Sequence, residues 1–220
     1  MARVIGGNLL KASGRIGDVV FYQRSGKQFV RAIPERVNQP NTEKQLAQKM
    51  KFKLSSEFIH RIYSFIKIGF GRQLPGASPL GMAMSYNLKH GFKGEYPDIE
   101  IDYEKFRVSI GKLPGALTAT IEKSGKDTIC LQWDGIKSMS KARGDDVVAV
   151  LLFFPLTGYC SWSWDARRRS DGMVTIKFPE EQKGNTVVGY VCFITQEFIG
   201  AKMKVEHISD SCWCGEVEFN

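Results

Sequence analysis

The sequence predicts an α+β chain in two parts: an N-terminal β-hairpin with two helices over residues 1–97, and a C-terminal β-sandwich over residues 98–220. Three observations predict it. Charge is divided, with 16 Lys and Arg against 5 Asp and Glu in residues 1–97, and 15 against 18 in residues 98–220. The apolar pattern changes near the same place, from an i, i+4 stripe to short alternating runs. Between the two lies Gly94-Glu95-Tyr96-Pro97, which has the chemistry of a turn. With 220 residues, 43% of them hydrophobic, the chain can bury one large core or two small ones.

The elements follow in order. Asp18 to Arg24 and Gln28 to Ile33 are β-branched and aromatic runs, and Ser25-Gly26 between them supplies a hairpin turn. Pro34 ends the second run, because it has no N–H to give a ladder. Within the first run, Val19, Phe21 and Gln23 share one face and Val20, Tyr22 and Arg24 the other. Both faces carry apolar bulk, so both are expected to be covered, one by the helix and the other by something else, such as a second subunit.

Thr42 followed by Gln45 is a capping box, in which each side chain satisfies the other residue's backbone N–H. One long helix is expected from there, with Leu46, Met50, Leu54, Phe58, Ile62 and Ile66 as its stripe and Ile59 and Phe65 widening it. Lys44, Lys49, Lys51, Lys53 and Arg61 give it a basic outer surface, and Gly69 and Gly71 end it. Ser78-Pro79 opens a second, shorter helix that Gly91 stops.

From Asp98 onward short strands are expected at Ile99–Tyr103, Phe106–Ile110, Leu117–Glu122, Thr128–Trp133, Asp146–Phe154, Met173–Phe178, Val187–Thr195 and Lys202–His207, with Cys214–Phe219 as a candidate last strand. Strands at near-regular spacing with no helix between them suggest a sandwich. Trp133 on an early strand and Tyr190 on a late one stand where an immunoglobulin-like or fibronectin-III-like domain has core aromatics.

Several function classes are disfavoured. The N-terminus lacks the apolar core and small-residue cleavage site of a secretory signal, and no run approaches the ~20 apolar residues of a membrane span. The five cysteines are odd in number, which with no signal argues for reduced thiols and a cytoplasmic setting. Asp145-Asp146, Glu180-Glu181 and Asp102 with Glu104 adjoin strand ends, where solvated acids are the default. His60 and His90 have no sequence partner for a triad. His207, Cys212 and Cys214 form H-x4-C-x-C, which lacks a fourth ligand and a second knuckle, so no metal and no cofactor are expected. Arg167-Arg168-Arg169 sits in a turn and is expected to be a solvated loop tip.

Two readings remain. The first is a non-catalytic binding or structural protein acting through protein–protein contacts, homo-oligomerisation included. The second is nucleic-acid binding, with Arg15, Arg24, Lys27, Arg31, Lys49 and Lys53 as phosphate contacts and Tyr22 and Phe29 near them to stack bases. Arg36 adds to this charge. No helix-turn-helix, zinc-finger, ribonucleoprotein or GxxG motif accompanies it.

The order of certain residues is also familiar. Gly17-x-Val19-Val20-Phe21-Tyr22, Gly26-Lys27-Gln28-x-Val30-Arg31, Pro40-x-Thr42-x-x-Gln45-x-x-Gln48 and Ile68-Gly69-Phe70 form a series. Tyr86-Asn87-Leu88-Lys89, Tyr96-Pro97-Asp98 and Leu113-Pro114-Gly115 continue it. Together they resemble a family of uncharacterised bacterial proteins catalogued as a domain of unknown function. The resemblance is specific over residues 14–115 and looser beyond, where it implies a divergent fibronectin-like β-domain. Cys212-Trp213-Cys214 departs from the pattern. The resemblance implies no activity, ligand or site.

Overall fold

The computed structural model describes residues 2–3, 13–24, 26–35, 40–71, 76–134, 142–164, 167–182, 184–199 and 202–218. Ser25, Arg36 and Phe219, which entered the sequence reading, lie outside the described residues. Among the described residues the fold is mixed, with three α-helices and several antiparallel sheets. It divides into two compact units, Met1–Asn41 and Thr42–Asn220. The division therefore falls at 41/42 and not at 97/98.

The described residues of the first unit form a four-stranded antiparallel sheet. Its strands are β1 (Ala2–Arg3), β2 (Gly14–Ile16), β3 (Val19–Arg24) and β4 (Lys27–Ala32), in the order β1-β4-β3-β2. The expected hairpin is its centre: Tyr22 pairs with Phe29 and Arg24 with Lys27. Gly26 takes the positive φ of 72° that closes so tight a connection. The edge strand β2 was not anticipated, since three residues give too short a pattern to read.

The second unit opens with α1 (Glu43–Arg61), α2 (Tyr63–Gly69) and α3 (Pro79–His90). The capping box forms as expected: the Gln45 N–H donates to Thr42 Oγ1 at 3.4 Å, and the Thr42 N–H to Gln45 Oε1 at 3.0 Å. The expected single helix is two, because Ile62 leaves helical geometry at φ −101° and ψ 21°. The stripe is not interrupted by the break. Phe58, Ile59, Ile62, Phe65 and Ile66 are all buried.

The remaining strands are β5 (Phe92–Lys93), β6 (Glu100–Ile101), β7 (Ala119–Lys123), β8 (Thr128–Trp133), β9 (Val147–Phe153), β10 (Cys160–Ser163), β11 (Met173–Lys177), β12 (Thr186–Ile199), β13 (Lys202–Ile208) and β14 (Cys212–Glu218). Strands β10, β9, β12 and β13 run side by side in one sheet, and β14 pairs with β12 beside β13. Strands β11, β8 and β7 make a second sheet.

The five-stranded sheet is covered on both faces. Ala149, Leu151, Phe153, Val188, Tyr190, Cys192 and Ile194 form one cluster with Phe58 and Ile66 of the helices and with Ile62 and Phe70 at their ends. Their neighbours Val148, Val150, Leu152, Val187, Val191 and Phe193 form another with Ile121, Ile129, Leu131 and Trp133 of the smaller sheet. The order is therefore helices, sheet, sheet. This corrects the expectation that the helices belong with the hairpin: every residue of β9 is buried, so a second layer was needed above it.

The segment expected as a strand at Phe106–Ile110 is not one. It threads between helix and sheet, and side chains satisfy its backbone. Asn87, fully buried on α3, donates Nδ2–H to the Arg107 carbonyl at 2.9 Å and accepts the Arg107 N–H at 2.8 Å. Ser211 Oγ accepts the Val108 N–H at 3.0 Å. Here α2 must approach closely, and a Cβ on Gly69 would collide with the Val108 carbonyl oxygen. Among the described residues no helix is long and apolar enough to cross a membrane.

Candidate nucleic-acid interface

Strand register decides which side chains of the first unit stand together. Arg15 lies opposite Val20, and Val20 opposite Arg31, giving one row across three strands. Tyr22 opposite Phe29 gives the next row, and Arg24 opposite Lys27 the last. Alternation along β3 puts Val20, Tyr22 and Arg24 on the same face, so all three rows share it. The basic face thus holds Arg15, Arg24, Lys27 and Arg31, all exposed, around the half-buried rings of Tyr22 and Phe29. The rings stack at 5.5 Å between centroids and 20° between planes. The Arg31 guanidinium carbon lies 6.0 Å from the Tyr22 ring centroid. Arg15 Nε–H also donates to the Gly17 carbonyl at 3.1 Å, which holds the turn after β2.

The opposite face is apolar. It carries Ile16, Val19, Phe21, Val30 and Ala32, with Gln23 and Gln28 at the hairpin end. None of the described side chains of this unit is buried, and Ile16 is 61% exposed.

Four of the six candidate phosphate contacts therefore share one face. Lys49 and Lys53 do not belong to that sheet. They are exposed on α1, one helical turn apart, in the second unit.

The other sequence candidates are distributed among structural roles. Arg167-Arg168-Arg169 is not a solvated loop tip throughout. Arg167 and Arg168 are exposed, but Arg169 is 1% exposed and reaches Asp146, itself 2% exposed, at 3.2 Å from Nε to Oδ2. Arg169 Nη2–H donates to the Pro114 carbonyl at 2.7 Å, and its guanidinium lies 3.7 Å over the Phe193 ring. Asp146 also accepts the Thr195 hydroxyl at 2.8 Å and the Arg143 N–H at 2.9 Å. Burial pulls the Arg169 pKa below its ordinary value, and Asp146 opposes that. The sequence offers no signal for this pair, because its partners stand 23 positions apart on a turn and a strand end.

Among the described residues no group of three His, Cys, Asp or Glu side chains is placed to hold a metal. Cys214 and Cys212 pack with the apolar cluster between the sheets, and burial raises the pKa of both thiols. His207 Nε2 stands 3.7 Å from Glu206 on an exposed strand edge. His60 and His90 are exposed on separate helices. A cleft of about 310 Å³ is lined by Lys112, Leu113, Ala142, Arg143, Thr195, Glu206 and His207. The Thr195 hydroxyl on its wall is already committed to Asp146.

A family model described as "Family of unknown function (DUF6266)" matches residues 11–206. No curated protein matches the chain. Among solved structures, the fn3 domain of human contactin 1 aligns over 45% of this chain and 80% of that one, at 5% identity and a TM-score of 0.32. That likeness is too loose to carry an argument.

Proposed function

Because the chain belongs to this family of unknown function, we propose from its own geometry that it is a non-catalytic binding and assembly protein, which associates with copies of itself through its N-terminal sheet. One observation carries the reading. The first unit groups Ile16, Val19, Phe21, Val30 and Ala32 on one face, yet has no buried described side chain. A sheet with such a face gains about 25 cal/mol for each Å² it covers, and an identical sheet offers a self-complementary cover.

The non-catalytic part is supported by where the reactive groups are spent. Asp146 and Thr195 serve the buried Arg169, and the thiols of Cys192 and Cys214 are raised well above the range in which thiolates react. The proposal extends to a divergent fibronectin-like β-portion and to a reducing bacterial cytoplasm, the latter supported by five cysteines that form no disulfide.

Light scattering on the full chain tests it. The expected result is a dimer or higher species at high protein concentration, dispersed by Ile16→Glu. A strict monomer at every concentration sinks it.

A further inference from the structure

We propose that the basic face of the N-terminal sheet is a binding site for single-stranded nucleic acid. The proposal stands apart from self-association, which uses the opposite face and is measured without any ligand.

The arrangement has three rows. Arg15 and Arg31 flank Val20 in the first, Tyr22 and Phe29 form the second, and Arg24 and Lys27 form the third. Two residues of strand separate each row from the next, so the cationic rows lie ~13 Å apart with the aromatic row midway. No Asp or Glu stands among these seven residues. Cations at both ends can each hold a phosphate, while the rings between them offer a surface for bases.

The row at the hairpin end adds a second argument. Arg24 lies directly opposite Lys27, and like charges so placed disfavour the pairing that puts them there. Folding alone would be better served by an acid at either position. An anion lying over the pair removes the conflict.

The aromatic row decides the class of ligand. A polyanion without bases, such as heparin or an anionic lipid surface, needs the cations and has no use for the rings. In a duplex the faces of the bases are hidden in the stack, and only edges and phosphates are presented. Only a single strand can set phosphates on the outer rows and an unstacked base on the middle one.

The test is fluorescence anisotropy on the full chain, with a fluorescein-labelled 20-nucleotide deoxythymidine oligomer as probe. Four cations neutralising four phosphates give a log–log salt slope of about −2.8, which is about a 50-fold loss of affinity between 50 and 200 mM salt. Two double variants then carry the same change in charge in different units. Arg24→Gln with Lys27→Gln should halve the slope, whereas Lys44→Gln with Lys126→Gln, both exposed in the second unit, should leave it unchanged. Tyr22→Leu keeps apolar bulk without the ring, and should weaken binding about tenfold at an unchanged slope. Should that variant fail to fold, the ring protons of Tyr22 and Phe29 in the unaltered chain are expected to shift upfield as oligomer is added. Three results overturn the proposal: no binding at 50 mM salt, equal effects of the two double variants, or equal affinity for heparin or for a duplex of the same length.

Discussion

Cations of the two units meet opposite fates. In Thr42–Asn220, two arginines are drawn into the fabric: Arg169 is fixed by Asp146, the Pro114 carbonyl and the face of Phe193, and Arg107 Nη1–H donates to the Ser211 carbonyl. In Met1–Asn41, the cations of the basic face are exposed, and Arg24 even faces Lys27. Arg169 and Arg107 spend their charge inside the fold; Arg24 and Lys27 display theirs at some cost to their own pairing. Positive charge in a sequence therefore says little about binding until strand register and burial separate these cases.

The comparison breaks first at Asp146. Asp146→Ala leaves the Arg169 cation buried without its carboxylate, and is expected to lower stability by about 3–5 kcal/mol in urea unfolding. Arg24→Gln in the small sheet should stay within about 0.5 kcal/mol. A cost below 1 kcal/mol for Asp146→Ala would mean that Arg169 is better hydrated than its burial implies.

Gly69→Ala probes the crowded passage between α2 and the segment that carries Val108. The added methyl meets a carbonyl oxygen, so a loss of about 1–3 kcal/mol is expected by the same measurement. An unchanged midpoint would show that α2 can retreat.

Alkaline pH sharpens the contrast further. Burial pushes the Cys192 thiol from 9.0 up to about 12, and holds the Tyr190 phenol well above its usual 10.0. Each group ionises earlier in the unfolded chain than in the folded one. The stability it contributes is therefore whole below pH 9 and is lost as pH rises toward 12. For Cys192 the slope is about 1.4 kcal/mol per pH unit in that window. Urea midpoints at pH 8, 9.5 and 10.5 check it, and Cys192→Ala should flatten part of the fall.

The smallest effect is expected from removing residues 1–41. Both apolar clusters of the second unit begin at Phe58 or later, so a chain starting at Thr42 should unfold within about 1 kcal/mol of the full one. A larger loss would make the N-terminal sheet part of the body's own stability.

Much of the local structure was legible in the sequence. The hairpin, the capping box at Thr42, the helix at Pro79 and the strands at Thr128, Val147 and Met173 all follow from period, caps and turn residues. Long-range pairing was not legible. The helices were assigned to the hairpin because charge changed near residue 97, but charge marks a surface and cannot say which apolar face lies beneath. The informative signal was the unbroken apolar run at Val147 to Phe153, since a strand covered on one side alternates and one covered on both does not. The segment at Phe106 failed for a related reason: its backbone is held by Asn87 and Ser211, which lie 20 and 103 positions away in the bonds they make. For the candidate interface, alternation and the hairpin turn placed Arg24, Lys27, Tyr22 and Phe29 together, whereas Arg15 needed the short strand β2 and Lys49 and Lys53 belonged elsewhere.

The roofing of the central sheet by helices has a practical result for anyone dissecting this family. A fragment cut at 97/98 would keep every strand from β6 onward and lose its helical lid, baring Leu151, Phe153, Tyr190 and Ile194 to water along one greasy ledge. Such a fragment should clump or scavenge detergent, and the natural place for the scissors is just ahead of Thr42.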